Sequence, residues 1–231
     1  MGTRIFAVVL GFVVTLGAPG LNGQEGKGKL TSAPLDSVTG LELNNSTAVV
    51  AEHKGRRSVH LVPLPGHKNA DEGMIAILTG SDFKDGTIEA DVAGTLREGG
   101  PADDRGFIGI LFHVQGHGEK AENFYIRPLN ARCDNQLRRN HSVQYESEPD
   151  YGWHRLRTEN PGVYESYADM EAGEWTHLKI EVSGVKARLY VNGASQPALI
   201  VNDLKLGDSR GQIALWAYTT TDGYFSNLTV K

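Results

Sequence analysis

From Gly173 to Gly193 the chain reads GEWTHLKIEVSGVKARLYVNG, with apolar and polar residues alternating. Trp175, His177, Lys179 and Glu181 fall on one side and Thr176, Leu178, Ile180 and Val182 on the other, the period-two pattern of a half-buried strand. Ser183-Gly184 then turns the chain. Ala187, Leu189 and Val191 alternate with Lys186, Arg188 and Tyr190 in a second strand, and Asn192-Gly193 supplies residues that tolerate positive φ at the next turn. Similar short runs at 48–51, 58–64, 74–78, 87–93, 198–201, 211–218 and 224–230 predict further strands. Segment 107–114 is apolar on both faces and predicts a strand in the middle of a sheet. An all-β chain follows.

Composition narrows this to one large domain. The chain has 231 residues, 39% of them hydrophobic, with 28 Gly and 9 Pro to turn it between strands. Its formal charge of −5 argues against nucleic acid or an anionic membrane surface as partner. A single cysteine, Cys133, excludes an intramolecular disulfide. At the N-terminus Arg4 precedes an apolar run at 5–16 and then small residues, the form of a cleavable export signal over residues 1–23. The run is too short for a stable membrane span, so the expected mature protein is secreted, periplasmic or on the cell surface. Residues 24–40, Gly- and Lys-rich at their start, read as a flexible spacer before a domain at 41–231.

The 173–193 unit resembles the strand pair of laminin-G-like and concanavalin A-like lectin/glucanase domains, as do FKDGTIEADV at 83–92 and the closing runs IALWAY and YFSNLTV. Within that superfamily the likeness is to the bacterial 3-keto-disaccharide hydrolase domains, from about Leu41 onwards. The resemblance implies an antiparallel two-sheet jelly-roll sandwich whose last strand returns beside the N-terminal one. It also implies a carbohydrate partner. The superfamily's glucanases carry a third carboxylate in an E-x-D-x-E or E-x-D-x-x-E pattern, but here Glu89 and Asp91 are followed by Ala93 and Gly94, which favours a solvated strand face for the pair.

Polar chemistry is concentrated between 123 and 167. Tyr125 and Arg127 lie opposite Phe124 and Ile126 by strand parity, and Asn130 follows. Arg138, Arg139, Asn140, His141, Gln144 and Tyr145 crowd into eight residues, and Trp153, Tyr164 and Glu165 lie around the turn Asn160-Pro161-Gly162. Aromatic faces cover the C–H patches of a pyranose, while Arg, Asn and Gln direct hydrogen bonds to hydroxyls or carboxylates. The competing reading is structural, with Tyr and Trp in the core and Arg in surface ion pairs. REGGPADDR at 97–105 reads as an exposed loop whose acidic residues are also candidate Ca²⁺ ligands. His113 reads as a satisfied core or rim histidine.

Three functions fit these residues. An enzyme acting on 3-keto sugars, hydrolase or lyase in type, is the one that the resemblance implies. There the keto group acidifies the C2 proton, and His141 serves as base with Tyr145 or Glu165 assisting. A polysaccharide lyase acting on uronates would use Arg127, Arg139, Asn140, His141, Gln144 and Tyr145. A lectin-like binding module would need the same aromatic and Arg residues but no base.

Overall fold

The computed structural model describes residues 1–2, 32–66 and 73–231, and among these fifteen strands, three short α-helices and one 3-10 turn at Gly116–Gly118 follow one another. The strands β1 (Ser32–Ala33), β2 (Leu41–Asn44), β3 (Ser46–His53) and β4 (Arg56–Pro63) come first. β5 (Gly73–Leu78), β6 (Gly86–Leu96), β7 (Ile108–Gln115) and β8 (Lys120–Ile126) lead to the helices α1 (Pro128–Ala131) and α2 (Gln136–Arg139). After β9 (Val143–Glu148) comes the helix α3 (Trp153–Glu159), then β10 (Glu165–Ser166), β11 (Thr176–Ser183) and β12 (Lys186–Val191). β13 (Leu199–Val201), β14 (Gln212–Tyr218) and β15 (Thr221–Val230) complete the chain.

The strands form two antiparallel sheets, confirming the jelly-roll sandwich. The first runs β13-β12-β11-β6-β15-β4-β3, with β1 paired to β15; the second runs β10-β9-β8-β7-β14-β5-β2. The alternating stretch at 173–193 becomes the β11–β12 hairpin in the expected register, Ile180 opposite Leu189. Its next turn has Asn192 at φ 52° and Gly193 at φ 71°. The C-terminal strand returns beside β1, and β7 lies inside the second sheet between β8 and β14.

One set of alternate residues from each sheet fills the space between them: Ile88, Val92, Leu178, Ile180, Leu189 and Phe225 from the first, Ile110, Phe112, Phe124, Ile126 and Leu215 from the second. Each such side chain contributes about 1.5–3 kcal/mol when fully removed from water. The outer face of the second sheet carries its own apolar cluster, in which Leu111, Tyr125 and Trp216 are buried. Of the expected spacer, 24–31 lies outside the described residues. Its end does not behave as a spacer, because Ser32–Ala33 pairs with β15 and Leu35 is buried in the core. The expected export signal also falls outside the described residues apart from residues 1–2. No described helix is long and apolar enough to cross a membrane.

The three helices were not legible as such, and they build the wall of the site. Pro128 starts α1 with its φ already set for a helix. Asn135 caps α2, its side-chain oxygen accepting the Arg138 N–H at 3.1 Å. Only Leu156 of α3 is buried, and Trp153 and Arg157 stay half-buried beside β9.

Candidate functional site

Strand parity divides β8 and β9 between two environments. Tyr125 pairs with Gln144 and Asn123 with Glu146 on the outer face, whereas Phe124 pairs with Tyr145 on the inner one. Above the outer face, α1, α2 and α3 and the loop before β7 enclose two adjoining cavities of about 560 and 690 Å³. Both lie in the range of small-molecule sites, roughly 300–1,000 Å³. Leu137, His141 and Arg157 line both and form the ridge between them.

His141 is fixed from three sides. Its carbonyl accepts from Arg127 Nη1 at 2.9 Å and from Asn130 Nδ2 at 3.3 Å. Its ring Nδ1 lies 2.7 Å from Glu165 Oε2, an ion-pair contact rather than a well-aligned hydrogen bond. Glu165 is buried in turn and gripped by Arg157, with Nη2 at 2.7 Å and Nε at 3.1 Å from both carboxylate oxygens. With Nδ1 facing the carboxylate, Nε2 is the ring nitrogen left for a ligand. Burial holds the His141 pKa below the ordinary histidine value: Glu165 opposes this, while the Arg157 and Arg127 charges add to it. The shift favours the neutral ring, the form that can accept a proton.

Beneath the first cavity Arg127 is almost wholly buried. Its Nη2 donates to Tyr125 Oη at 2.9 Å, and both terminal nitrogens reach Gln144 Oε1 at 3.2 Å. Tyr125 Oη lies 3.5 Å from Glu146 Oε2, which also accepts the Trp153 N–H at 3.2 Å. Burial pushes the Glu146 pKa up to about 7, with Glu148 adding to the shift and Arg127 opposing it. Phe107, Tyr218, Trp216 and Tyr125 pack ring to ring beside this network, and Phe107 and Tyr218 reach the cavity. Trp153 forms another part of the wall, with Arg157 4.7 Å from its ring centre.

The expected site residues thus separate into groups. His141, Glu165, Arg127, Asn130, Arg138, Asn140 and Trp153 line one or both cavities. Tyr125 and Gln144 lie below as supports, and Gln144 is fully engaged because its amide nitrogen donates to the Tyr145 and Tyr164 carbonyls. Arg139 turns outward and donates to Tyr167 Oη at 3.2 Å.

Tyr145 and Tyr164, expected in the site, line neither cavity. Tyr145 has no exposed surface and faces the other sheet, where its hydroxyl donates to the buried Glu122 at 2.6 Å and accepts the Lys205 N–H at 2.9 Å. Tyr164 donates to Asp203 at 2.6 Å and accepts from Lys205 Nζ at 2.7 Å. Both clamp the connection between β13 and β14 to the second sheet.

The sequence reading had not singled out Arg105, Phe107, Glu146 or Tyr218. Glu146 was within reach of parity, two residues beyond Gln144. Arg105 gives no signal, since its loop reads as an exposed one whose acidic residues are the candidate ligands, for Ca²⁺. That loop spends Asp104 Oδ1 on the backbone N–H groups of Arg105 and Gly106. Among the described residues no cluster of three or more His, Cys, Asp or Glu is arranged to hold a metal ion. His113 is buried on the core side, with Nε2 2.8 Å from the Lys84 carbonyl. Glu89 and Asp91 lie on the outer face of the first sheet, where Asp91 meets Arg56 and His177 and Glu89 meets Lys231.

Residues 41–231 match the family described as the 3-keto-alpha-glucoside-1,2-lyase-like domain. The chain belongs to this family. As a 3-keto-alpha-glucoside-1,2-lyase-like protein it has a carbohydrate-related function. Solved structures share the fold. The carbohydrate binding module CBM66 from Bacillus subtilis superposes with a TM-score of 0.56 at 16% identity, covering 84% of this chain and 96% of the module. A Bacillus subtilis protein of unknown function with a galectin-like fold gives 0.57 at 13% identity, covering 87% and 94%. A comparison with curated proteins finds no sequence match.

Proposed function

We propose that this lyase-like protein cleaves the glycosidic bond of 3-keto-glycosides by elimination, with His141 as the base. The reading rests on one observation: an imidazole with its Nδ1 2.7 Å from a buried carboxylate stands on the ridge between two sugar-sized cavities. In a 3-keto sugar the carbonyl acidifies the hydrogen on C2. His141 Nε2 takes that proton, and the electron pair moves into the C2–C3 bond and onto the keto oxygen as an enolate. The nearby guanidinium charges favour this developing negative charge. The enolate then re-forms the carbonyl, a C1–C2 double bond appears, and the C1–O bond breaks. The departing oxygen takes that proton from the imidazolium, directly or relayed through a water, so the base returns to its starting state.

Glu165 serves as the positioning residue for this base, and Arg157 holds Glu165. Tyr145, buried on the wrong side of β9, has no part in the reaction. The apolar run at 5–16 behind Arg4 supports an extracytoplasmic setting for it.

Mass spectrometry over time on methyl 3-keto-α-glucoside, with plain methyl α-glucoside and uronate oligosaccharides in parallel, tests the reading. The expected product is an unsaturated keto sugar one water lighter than the hydrolysis product. It should form from the 3-keto substrate alone, and His141→Gln should slow it about 10²- to 10⁴-fold with unchanged circular dichroism. Equal rates for the wild type and His141→Gln, or no product at all, would overturn it.

A further inference from the structure

The first cavity carries more positive charge than its own residues balance. Arg157 is matched by Glu165, but Arg105, Arg127 and Arg138 have no carboxylate at ion-pair distance among the described residues. Arg127 is the most deeply placed, 4% exposed, and every acceptor it meets is neutral: the His141 carbonyl, the Gln144 amide oxygen and the Tyr125 hydroxyl. Removing a guanidinium from water without a counter-charge is costly.

The other two keep donors in reserve. Arg138 uses Nε on Asn130 at 3.0 Å and Nη2 on the Leu129 carbonyl at 3.3 Å, which leaves Nη1. Arg105 spends only Nη1, on the Asp104 carbonyl at 3.1 Å. Burial first, and then the neighbouring Arg138 charge, lowers the Arg105 pKa, with Asp103 and Asp104 opposing. Of the acidic residues on the wall, Asp104 is engaged by backbone amides, and Asp103 is exposed where water and salt screen it. Glu146, behind Tyr125, and Glu148 beyond it are further acids on this face of β9, and neither is at ion-pair distance from the three guanidinium groups.

From this imbalance we infer that the first cavity is an anion-binding compartment, formed by Arg105, Arg127 and Arg138, and that the sugar held beside His141 bears a negatively charged substituent. The charged group, a carboxylate or a sulfate ester, sits in the compartment away from the reacting carbon. Paired guanidinium forks suit either, through charge-assisted hydrogen bonds. This deepens the proposed function and rests on its placing of a sugar at the ridge.

Calorimetric titration of the full chain with three sugars that lack the 3-keto group tests binding separately from turnover. The probes are methyl α-glucopyranoside, its 6-sulfate and methyl α-glucopyranosiduronate. One or both charged probes should bind at least about tenfold tighter than the neutral one. The preference should fall with added salt and shrink in Arg105→Gln and in Arg138→Gln, each folded by circular dichroism. Preference for the uronate over the sulfate would identify a carboxylate, and the reverse a sulfate ester. Equal affinity for all three probes, absence of binding by any, or a charge preference unchanged in both variants would each overturn the compartment. The cleavage reading is judged apart, by conversion of the 3-keto glycoside. Charge-selective binding without that conversion would overturn the reaction and leave the compartment standing.

Discussion

The two outer faces of the sandwich carry similar residue types in different states. On the first sheet charges are matched where they stand. Asp91 lies 2.6 Å from Arg56 and 2.8 Å from His177 and accepts from Asn227 at 2.9 Å; Glu181 accepts from Lys179 and Tyr190; His60 meets Asp222 at 2.8 Å. Burial alone would raise the Asp91 pKa, but these partners bring it below the usual carboxylate range. On the second sheet the charged groups are more deeply buried and less well matched. Glu146 is pushed up to about 7, and Arg127 meets only neutral acceptors. Carboxylates spaced two apart on a strand therefore do not mark a site by themselves. Desolvation without local compensation does so here.

The strongest way to break this contrast is at the positioning carboxylate. Glu165→Gln should lower the rate of elimination on the order of 10- to 100-fold, less than loss of the base itself. It should also move the pH profile. In the wild type kcat/KM is expected to rise with pH through a His141 pKa below about 6.5 and then level off. Because Glu165 raises that pKa, its removal should shift the acid limb to still lower pH. An unmoved limb would separate Glu165 from the base.

A smaller effect should appear in stability. The folded Glu146 pKa, about 7, lies above the carboxylate value of 4.5, so the folded state holds this proton more tightly and loses stability as pH rises through that window. Gln at this position cannot titrate. Thermal unfolding of Glu146→Gln should match the wild type near pH 4.5 and gain on it up to about pH 7, by about 3 kcal/mol or less. A constant offset at every pH would show that burial of the charge is not the cause.

The smallest effect is expected on the matched face. Asp91→Asn should cost about 1 kcal/mol or less and leave turnover unchanged, because its ion pairs are partly exposed. With a lowered folded pKa, that cost is present above the ordinary carboxylate range and disappears as pH falls through the folded value. A loss of activity in Asp91→Asn would make the two faces functionally alike.

Legibility in the sequence followed the same division. The β11–β12 hairpin, the interior position of β7 and the opposition of Tyr125 to Phe124 were all readable, because period-two alternation directly records which side is buried. Tyr145 was misplaced because it was read from the density of polar residues around it. The parity rule, applied from Gln144, puts it on the core side. The helices escaped because each is seven residues or fewer and buries little, so no helical stripe forms. Arg105 and Arg157 reach the cavities only through loop and helix geometry, which the order of residues does not encode locally.

The His141 carbonyl is tied to the side chains of Arg127 and Asn130, and Asn130 in turn holds Arg138. Under the proposed reaction, selectivity and reactivity thus share parts: a substitution at Arg127 would disturb the base along with the ligand, and one at Arg138 would reach it through a single intermediary. The side chain of Arg105 stands outside this circuit, bonded only to a carbonyl of its own loop. If the anion compartment is as proposed, Arg105 is the position where sugar preference would be rewritten with the His141–Arg127–Asn130–Arg138 contacts left in place.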